Sequence, residues 1–189
     1  MRSGCDNRAM GRVYDAISPD LADWIRRQQM FFVATAPLAA DGHVNVSPKG
    51  LDTLRILDDH TLAYLDLTGS GIETAAHIRD NARITLMWCA FEGPPRILRV
   101  WGRGEVAPLD DPRAVAADFP AVHGARGIIV VHAERVADSC GYAVPRFTFE
   151  GQRTRLLEWA DNKTDAELDD YRAEKNAVSI DGLPGIAGG

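Results

Sequence analysis

Lys49 ends a strand-like run, His43-Val44-Asn45-Val46-Ser47-Pro48-Lys49-Gly50, and Ser70 follows a second one, Leu62-Ala63-Tyr64-Leu65-Asp66-Leu67. A lysine that closes a strand can hold its ammonium against an anionic ligand, and the Ser47 hydroxyl can donate to a bound molecule. Past the second run the chain reads as a helix start. Thr68-Gly69-Ser70-Gly71 is a small-residue turn, and Ser70 and Glu73 have the spacing of a capping box, in which the serine accepts the Glu73 N–H and the glutamate reaches back. A helix N-terminus offers unpaired N–H groups and the positive end of the dipole, so a phosphate could settle there, with Thr74 adding a hydroxyl. Each feature also has a plainer reading: a box that only starts a helix, a lysine in solvent, a serine that faces water.

Other residues stay open in the same way. His77 lies one helical turn beyond Glu73 and could approach the same anion or simply pack. Arg96 and Arg99 fall on opposite faces of one long strand, whereas Arg99 and Arg103 share a face with Trp101. That face could clamp a cofactor or be an exposed sheet surface. Trp88 could cover a flat ring or belong to the core with Leu86, Met87 and Phe91. Cys5, Cys89 and Cys140 have no Cys-x-x-Cys spacing, and the five histidines include no i, i+4 pair, so neither a disulfide scaffold nor a metal site is expected.

The elements that must position these residues can be read from turns and periodicity. Ser18-Pro19-Asp20 is a helix start, followed by Leu21, Trp24 and Ile25 at helical spacing to about Gln29. Met30 to Ala36 and Val44 to Val46 flank the hairpin signal Asp41-Gly42. Arg55 to Leu57 and Thr61 to Leu67 flank Asp58-Asp59, and Arg83 to Ala90 and Ile97 to Ala107 flank Glu92-Gly93-Pro94-Pro95. Gly127 to Ala137 adds a strand. Glu73 to Arg79 and Pro112 to Phe119 read as helices. Beyond Pro145 come a helix around Leu156, Leu157 and Trp159, a second capping box at Thr164-Asp165-Ala166-Glu167 opening a helix to about Lys175, and an extended tail.

Many short strands with few helices between them argue for a mainly β chain with flanking helices, closed as an antiparallel barrel. With 189 residues, 46% hydrophobic and 25% charged, one domain spanning 1–189 accounts for the chain, with a barrel core at 18–137 and C-terminal helices and tail at 145–189. The formal charge of −6 speaks against nucleic acid and anionic membrane as partners. Met1 to Arg8 lacks a signal-peptide core, and Gly127 to Val131, the most apolar short run, is too short for a bilayer, so a soluble cytoplasmic protein is expected.

The order of strand, lysine, second strand, small-residue turn and helix resembles the pyridoxamine 5'-phosphate oxidase-like family of FMN-binding split barrels over roughly Leu21 to Ala137. The resemblance sets Val44 to Lys49 at that family's first flavin-contacting strand and Leu65 to Thr74 at its second strand and phosphate turn. It implies a split β-barrel homodimer with FMN at the interface and a small-molecule substrate. Lys49 would be the catalytic residue, and Val46, Ser47, Pro48, Lys49, Leu65, Asp66, Ser70, Gly71, Glu73, Thr74, Trp88 and Arg103 would contact the cofactor. Gly71 and Ile72 stand where vitamin-processing members carry an Arg-Lys pair, so phosphate would rest on Ser70, Thr74 and backbone N–H groups, with charge from an arginine elsewhere. The closing Arg and His of true pyridoxamine phosphate oxidases are also missing. Lys175, Asn176, Ser179, Asp181, Gly182, Leu183 and Pro184 resemble a tail motif of relatives, which implies a segment folded over the cleft, of this subunit or its partner. Two alternatives remain: a reductase that binds deazaflavin F420, and a flavin or heme carrier without turnover, in the heme case with His77 or His132 reaching the iron.

Overall fold

In the computed structural model, which describes residues 11–185, Ser18 and Pro19 open α1 (Pro19–Arg26), and the Leu21 amide donates to Ser18 Oγ at 3.3 Å. Cys5 and the Met1–Arg8 start lie outside the described residues. Leu21, Ala22 and Ile25 of α1 are buried, so its apolar stripe plugs the barrel. The helix stops at Arg26, short of Gln29, because the chain must turn there into β2 (Phe31–Thr35), whose Phe31 and Val33 enter the same core.

Every pairing between named strands is antiparallel. The hairpin at Asp41-Gly42 joins β2 to β3 (Asn45–Lys49); β4 (Leu54–Ile56) pairs with β5 (Thr61–Leu67); β6 (Arg83–Cys89) pairs with β7 (Ile97–Ala107). The last strand, β8 (Ala125–Ser139), lies between β7 and β5, giving the spatial order β3-β2-β6-β7-β8-β5-β4. A two-residue β1 (Val13–Tyr14) pairs with the far half of β8, a contact too short for any periodic signal. This is the antiparallel split β-barrel the sequence predicts. Its two edge strands, β3 and β4, are joined by residues 50–53, so the open seam lies beside Lys49.

The apolar run of β8 makes sense once both its faces are covered. Ile129, Val131 and Val136 face the main core with Val33, Leu62, Leu86 and Trp88, whereas Ile128 and Val130 face a second core with Ala63, Leu65 and Ala114. A bulge in β8 sets Arg135 opposite Trp101 but Ala133 opposite Gly102, leaving Glu134 as the extra residue. Trp88 is only 1% exposed and stacks on Phe31 with centroids 6.0 Å apart. The cofactor role expected of Trp88 therefore gives way to a core role: it shares the inward parity of Ile84 and Leu86.

The helices differ from expectation mainly at their ends. The second helix, α2 (Glu73–Asn81), begins after Ile72 as N-cap, with no side-chain cap, so the Ser70–Glu73 box does not form. Burial of Ile72 sets the phase and leaves Glu73 as the first helical residue, two positions short of the third, where a capping-box glutamate stands. The third, α3 (Pro112–Ala116), is capped by Asp111 and ends before Phe119, where Asp118 turns left-handed at φ 48°. After it come α4 (Arg155–Asp161) and α5 (Asp165–Lys175), the latter opened by the complete Thr164/Glu167 box. Trp159 meets Tyr171 edge to face at 4.9 Å, and Arg172 ties α5 to Thr68 Oγ1 at 2.9 Å. Among the described residues no helix is long and apolar enough to cross a membrane.

Replacing Trp88 by alanine should cost about 3–5 kcal/mol of stability, measured as an earlier urea midpoint at unchanged slope. A loss under about 1 kcal/mol would show that the ring is not part of the packed core.

Candidate functional site

The pleat of β3 turns Asn45, Ser47 and Lys49 inward and leaves Val46 and Pro48 exposed. At the seam the inward residues face the end of β5 and the turn before α2 across a cleft of about 290 Å³. Ser47, Pro48, Lys49, Leu65, Asp66, Gly71, Glu73 and Thr74 all line it. Asn45, Gly69, Arg126 and Leu156 line it as well, and none of them was among the individual contacts expected from the sequence. A second cavity of about 380 Å³ lies across Lys49-Gly50-Leu51 and reaches Met30 and the edge of Trp88.

Four expected contacts fall elsewhere. Val46 points away from the cleft and is 60% exposed. Ser70 is exposed and is not part of the cleft wall, because the turn is held by Glu73 instead. Trp88 is in the core. Arg103 is exposed on central strand β7 and donates to the Asn81 carbonyl at the far end of α2, at 3.3 Å.

Two opposite charges brace the inner wall. Arg126 Nε and Nη2 donate to the two Asp66 oxygens at 2.8 and 3.2 Å, and both side chains are 7% exposed. The same guanidinium donates to Asn176 Oδ1 at 2.8 Å and to the Gly71 carbonyl at 3.1 Å. Asn176, fully buried, in turn donates to the Gly69 carbonyl at 2.9 Å. Arg126 enters just before the apolar run of β8, and its donors go to the chain's own groups and not to an open phosphate position.

At the turn, Glu73 Oε2 accepts the Ile72 amide at 3.0 Å and Oε1 accepts the Ile180 amide at 3.3 Å. A Cβ on residue 71 would come within 2.8 Å of Oε2, so a side chain there would make the folded-back carboxylate shift. Thr74 Oγ1 accepts from Asn45 Nδ2 at 3.0 Å, and Asn45 also reaches Thr35 Oγ1, at 3.4 Å. Thr35 Oγ1 bonds His77 Nδ1 at 3.0 Å. His77 is fully buried under α2, and burial pushes its pKa down, so it packs and does not meet a cleft ligand. His132, on the outer face, lies 3.7 Å from Glu105.

Two groups in the cleft lack partners. Ser47 Oγ is buried without a hydrogen bond. Lys49 makes no ion pair or hydrogen bond among the described residues; burial pushes its pKa down, Asp66 opposes that, and Arg126 reinforces it. An orphaned hydroxyl beside a partly desolvated ammonium is a surface prepared for a polar ligand.

The tail runs beside this site on its own chain. His43 donates its amide to Asp181 Oδ2 at 2.8 Å, and its ring Nδ1 meets Oδ1 at 2.6 Å. Val178 and Pro184 form an isolated bridge, and Arg79 donates to the Gly185 carbonyl.

A family model described as pyridoxamine 5'-phosphate oxidase matches residues 17–140. The chain is 37% identical over 194 residues to the pyridoxamine 5'-phosphate oxidase family protein ustO of Aspergillus flavus, covering 92% of this chain and 77% of ustO. Among solved structures, tagged HupZ of Group A Streptococcus is 25% identical with a TM-score of 0.51, over 64% of this chain and 91% of that one. The conserved hypothetical protein Rv2991 of Mycobacterium tuberculosis shares the fold at 15% identity and a TM-score of 0.50, over 77% of this chain and 97% of that one.

Asn176→Ala strands the Gly69 carbonyl and one Arg126 donor under cover, so urea unfolding should show a loss of about 1–3 kcal/mol; an unchanged midpoint would show that the tail does not brace the turn. The hydrogen bond and charge of Asp181 raise the His43 pKa, and His43 in turn lowers that of Asp181. The latch should therefore hold fully below about pH 6.5, the ordinary histidine value, and weaken as pH rises through the raised one. At the acid end it should fail as pH falls through the lowered Asp181 value. Amide-exchange protection of His43 and Gly182, corrected for intrinsic rates, should follow that window; flat protection at higher pH would remove the latch.

Proposed function

The chain belongs to the pyridoxamine 5'-phosphate oxidase family, and we propose that it is an FMN-dependent oxidoreductase whose flavin lies in the cleft at the barrel seam. The observation that carries this reading is the orphaned Ser47 hydroxyl next to the unpaired Lys49 ammonium on one face of β3. A flavin ring has a polar edge of alternating nitrogen and carbonyl groups, which a hydroxyl and a cation on a rigid strand can satisfy. A bound flavin would supply two-electron transfer, chemistry that no side chain offers.

The chain's own residues then have distinct tasks. Ser47 fixes the edge of the ring by a hydrogen bond. Lys49, held out of bulk water, stabilises negative charge that gathers on that edge and orients an anionic or polar substrate. Asn45 and Thr74 fix the upper wall, and the Asp66–Arg126 pair holds β5 against β8 so that the cleft keeps its shape.

A homodimer completes the site in this reading. The cleft is near the lower end of ligand-site volumes, roughly 300–1,000 Å³, and it opens at a seam whose edge strand β3 exposes Val46, with Val44 just before it. An unprotected edge with outward valines suits coverage by a second copy. The substrate in this reading is a small molecule, and the setting is cytoplasmic.

Purified protein, or protein mixed with FMN, should show flavin absorption bands perturbed by binding; a colourless protein that ignores added flavin would end the reading. Lys49→Ala should lower the potential of the bound flavin by roughly 30 mV, about a tenfold change for a two-electron couple, and change its dissociation constant by less than about threefold. An unmoved potential would take Lys49 out of the mechanism. Light scattering should give a dimer at micromolar concentration, and a monomer would remove the interface.

A further inference from the structure

The end of the cleft where a phosphate was expected is occupied by the chain's own carboxylates. Glu73 folds back onto the Ile72 amide and takes the Ile180 amide as well, so the turn that opens α2 already holds an anion. Arg126 lies against the Gly71 carbonyl of that turn, but its fork is spent on Asp66 and Asn176. Freeing it for a ligand would strand a carboxylate that is 7% exposed.

The charge count at the cleft agrees. Its charged lining residues are Lys49, Arg126, Asp66 and Glu73, two of each sign. Of the two lining cations, Lys49 is the one with no carboxylate partner among the described residues, and it stands four residues along β3 from Asn45, the residue bonded to Thr74. At about 3.3 Å per residue that separates it from the turn end by roughly 13 Å. Positive charge is therefore available at the Ser47 end and cancelled at the turn.

Resting on the flavin reading above, we infer that this cleft recognises its ligand by the ring and not by the phosphate, with Asp66 and Glu73 neutralising the turn, so that riboflavin and FMN bind alike. A dianion brought to the turn meets the Glu73 carboxylate and finds no uncommitted guanidinium. A deazaflavin with a longer anionic tail meets the same obstacle more strongly.

The test titrates the full chain with riboflavin and with FMN, each followed by flavin fluorescence. The two dissociation constants should agree within about tenfold, and their ratio should stay level between about 50 and about 500 mM salt. FMN tighter by more than about tenfold, or a preference that salt erases, overturns the inference while leaving the flavin reading intact. Absence of binding by either flavin overturns both. Glu73→Gln, at a half-exposed position, keeps one acceptor and removes the charge, and Asp66→Asn frees the Arg126 charge; either should raise the preference for FMN over riboflavin by about fivefold or more. If Asp66→Asn does not fold, Glu73→Gln decides. A folded Glu73→Gln protein with an unchanged preference shows that the carboxylate does not set it.

Discussion

The site depends on one buried ion pair. Asp66 lies one residue before the end of β5, Arg126 is the extra residue near the start of β8, and their two hydrogen bonds span the register shift between Asp66 and Leu67. Such a pair gains little net stability over an apolar one, since both ions give up water. What it contributes is specification: the guanidinium has a fixed fork, and its remaining donors fix the Gly71 carbonyl and the Asn176 amide in turn. Strand end, turn and tail are thus held by one planar group, and neither partner can move alone without leaving a charge unpaired.

The open sheet then determines what the pair surrounds. With β3 and β4 at the two ends of the strand order and only four residues between them, the sheet must curl until its edges face each other. Backbone pairing does not close the seam: β3 and β4 are not hydrogen-bonded to each other. Unpaired strand groups and half-buried polar side chains therefore collect along one line, which is why the orphaned hydroxyl and the ammonium lie there and not on the closed side of the barrel.

Much of this was legible in the chain, and the failures have local causes. Asp41-Gly42 and Asp58-Asp59 marked real hairpins because turn chemistry acts over a few residues. The four apolar residues 128–131 marked a strand covered on both faces. The run ending at Lys49 marked a strand, and the structure sets Ser47 and Lys49 together on β3 at the cleft. The Ser70 box failed because a buried Ile72 fixed where α2 begins, a tertiary effect that spacing does not carry. Trp88 was recoverable from its parity with Ile84 and Leu86. Arg126 and Asn176 were not, since they are fifty positions apart and meet only when β8 and the end of α5 are both in place.

The sequence order of the elements gives the tail a further meaning. Among the described residues every named strand lies before residue 140, so the sheet is built without the tail. Yet Asn176 holds the turn, and Asp181 reaches back to His43 across 138 positions. All the named strands thus precede in the chain the segment that braces the mouth, so the barrel and the fixing of its turn are separable in sequence.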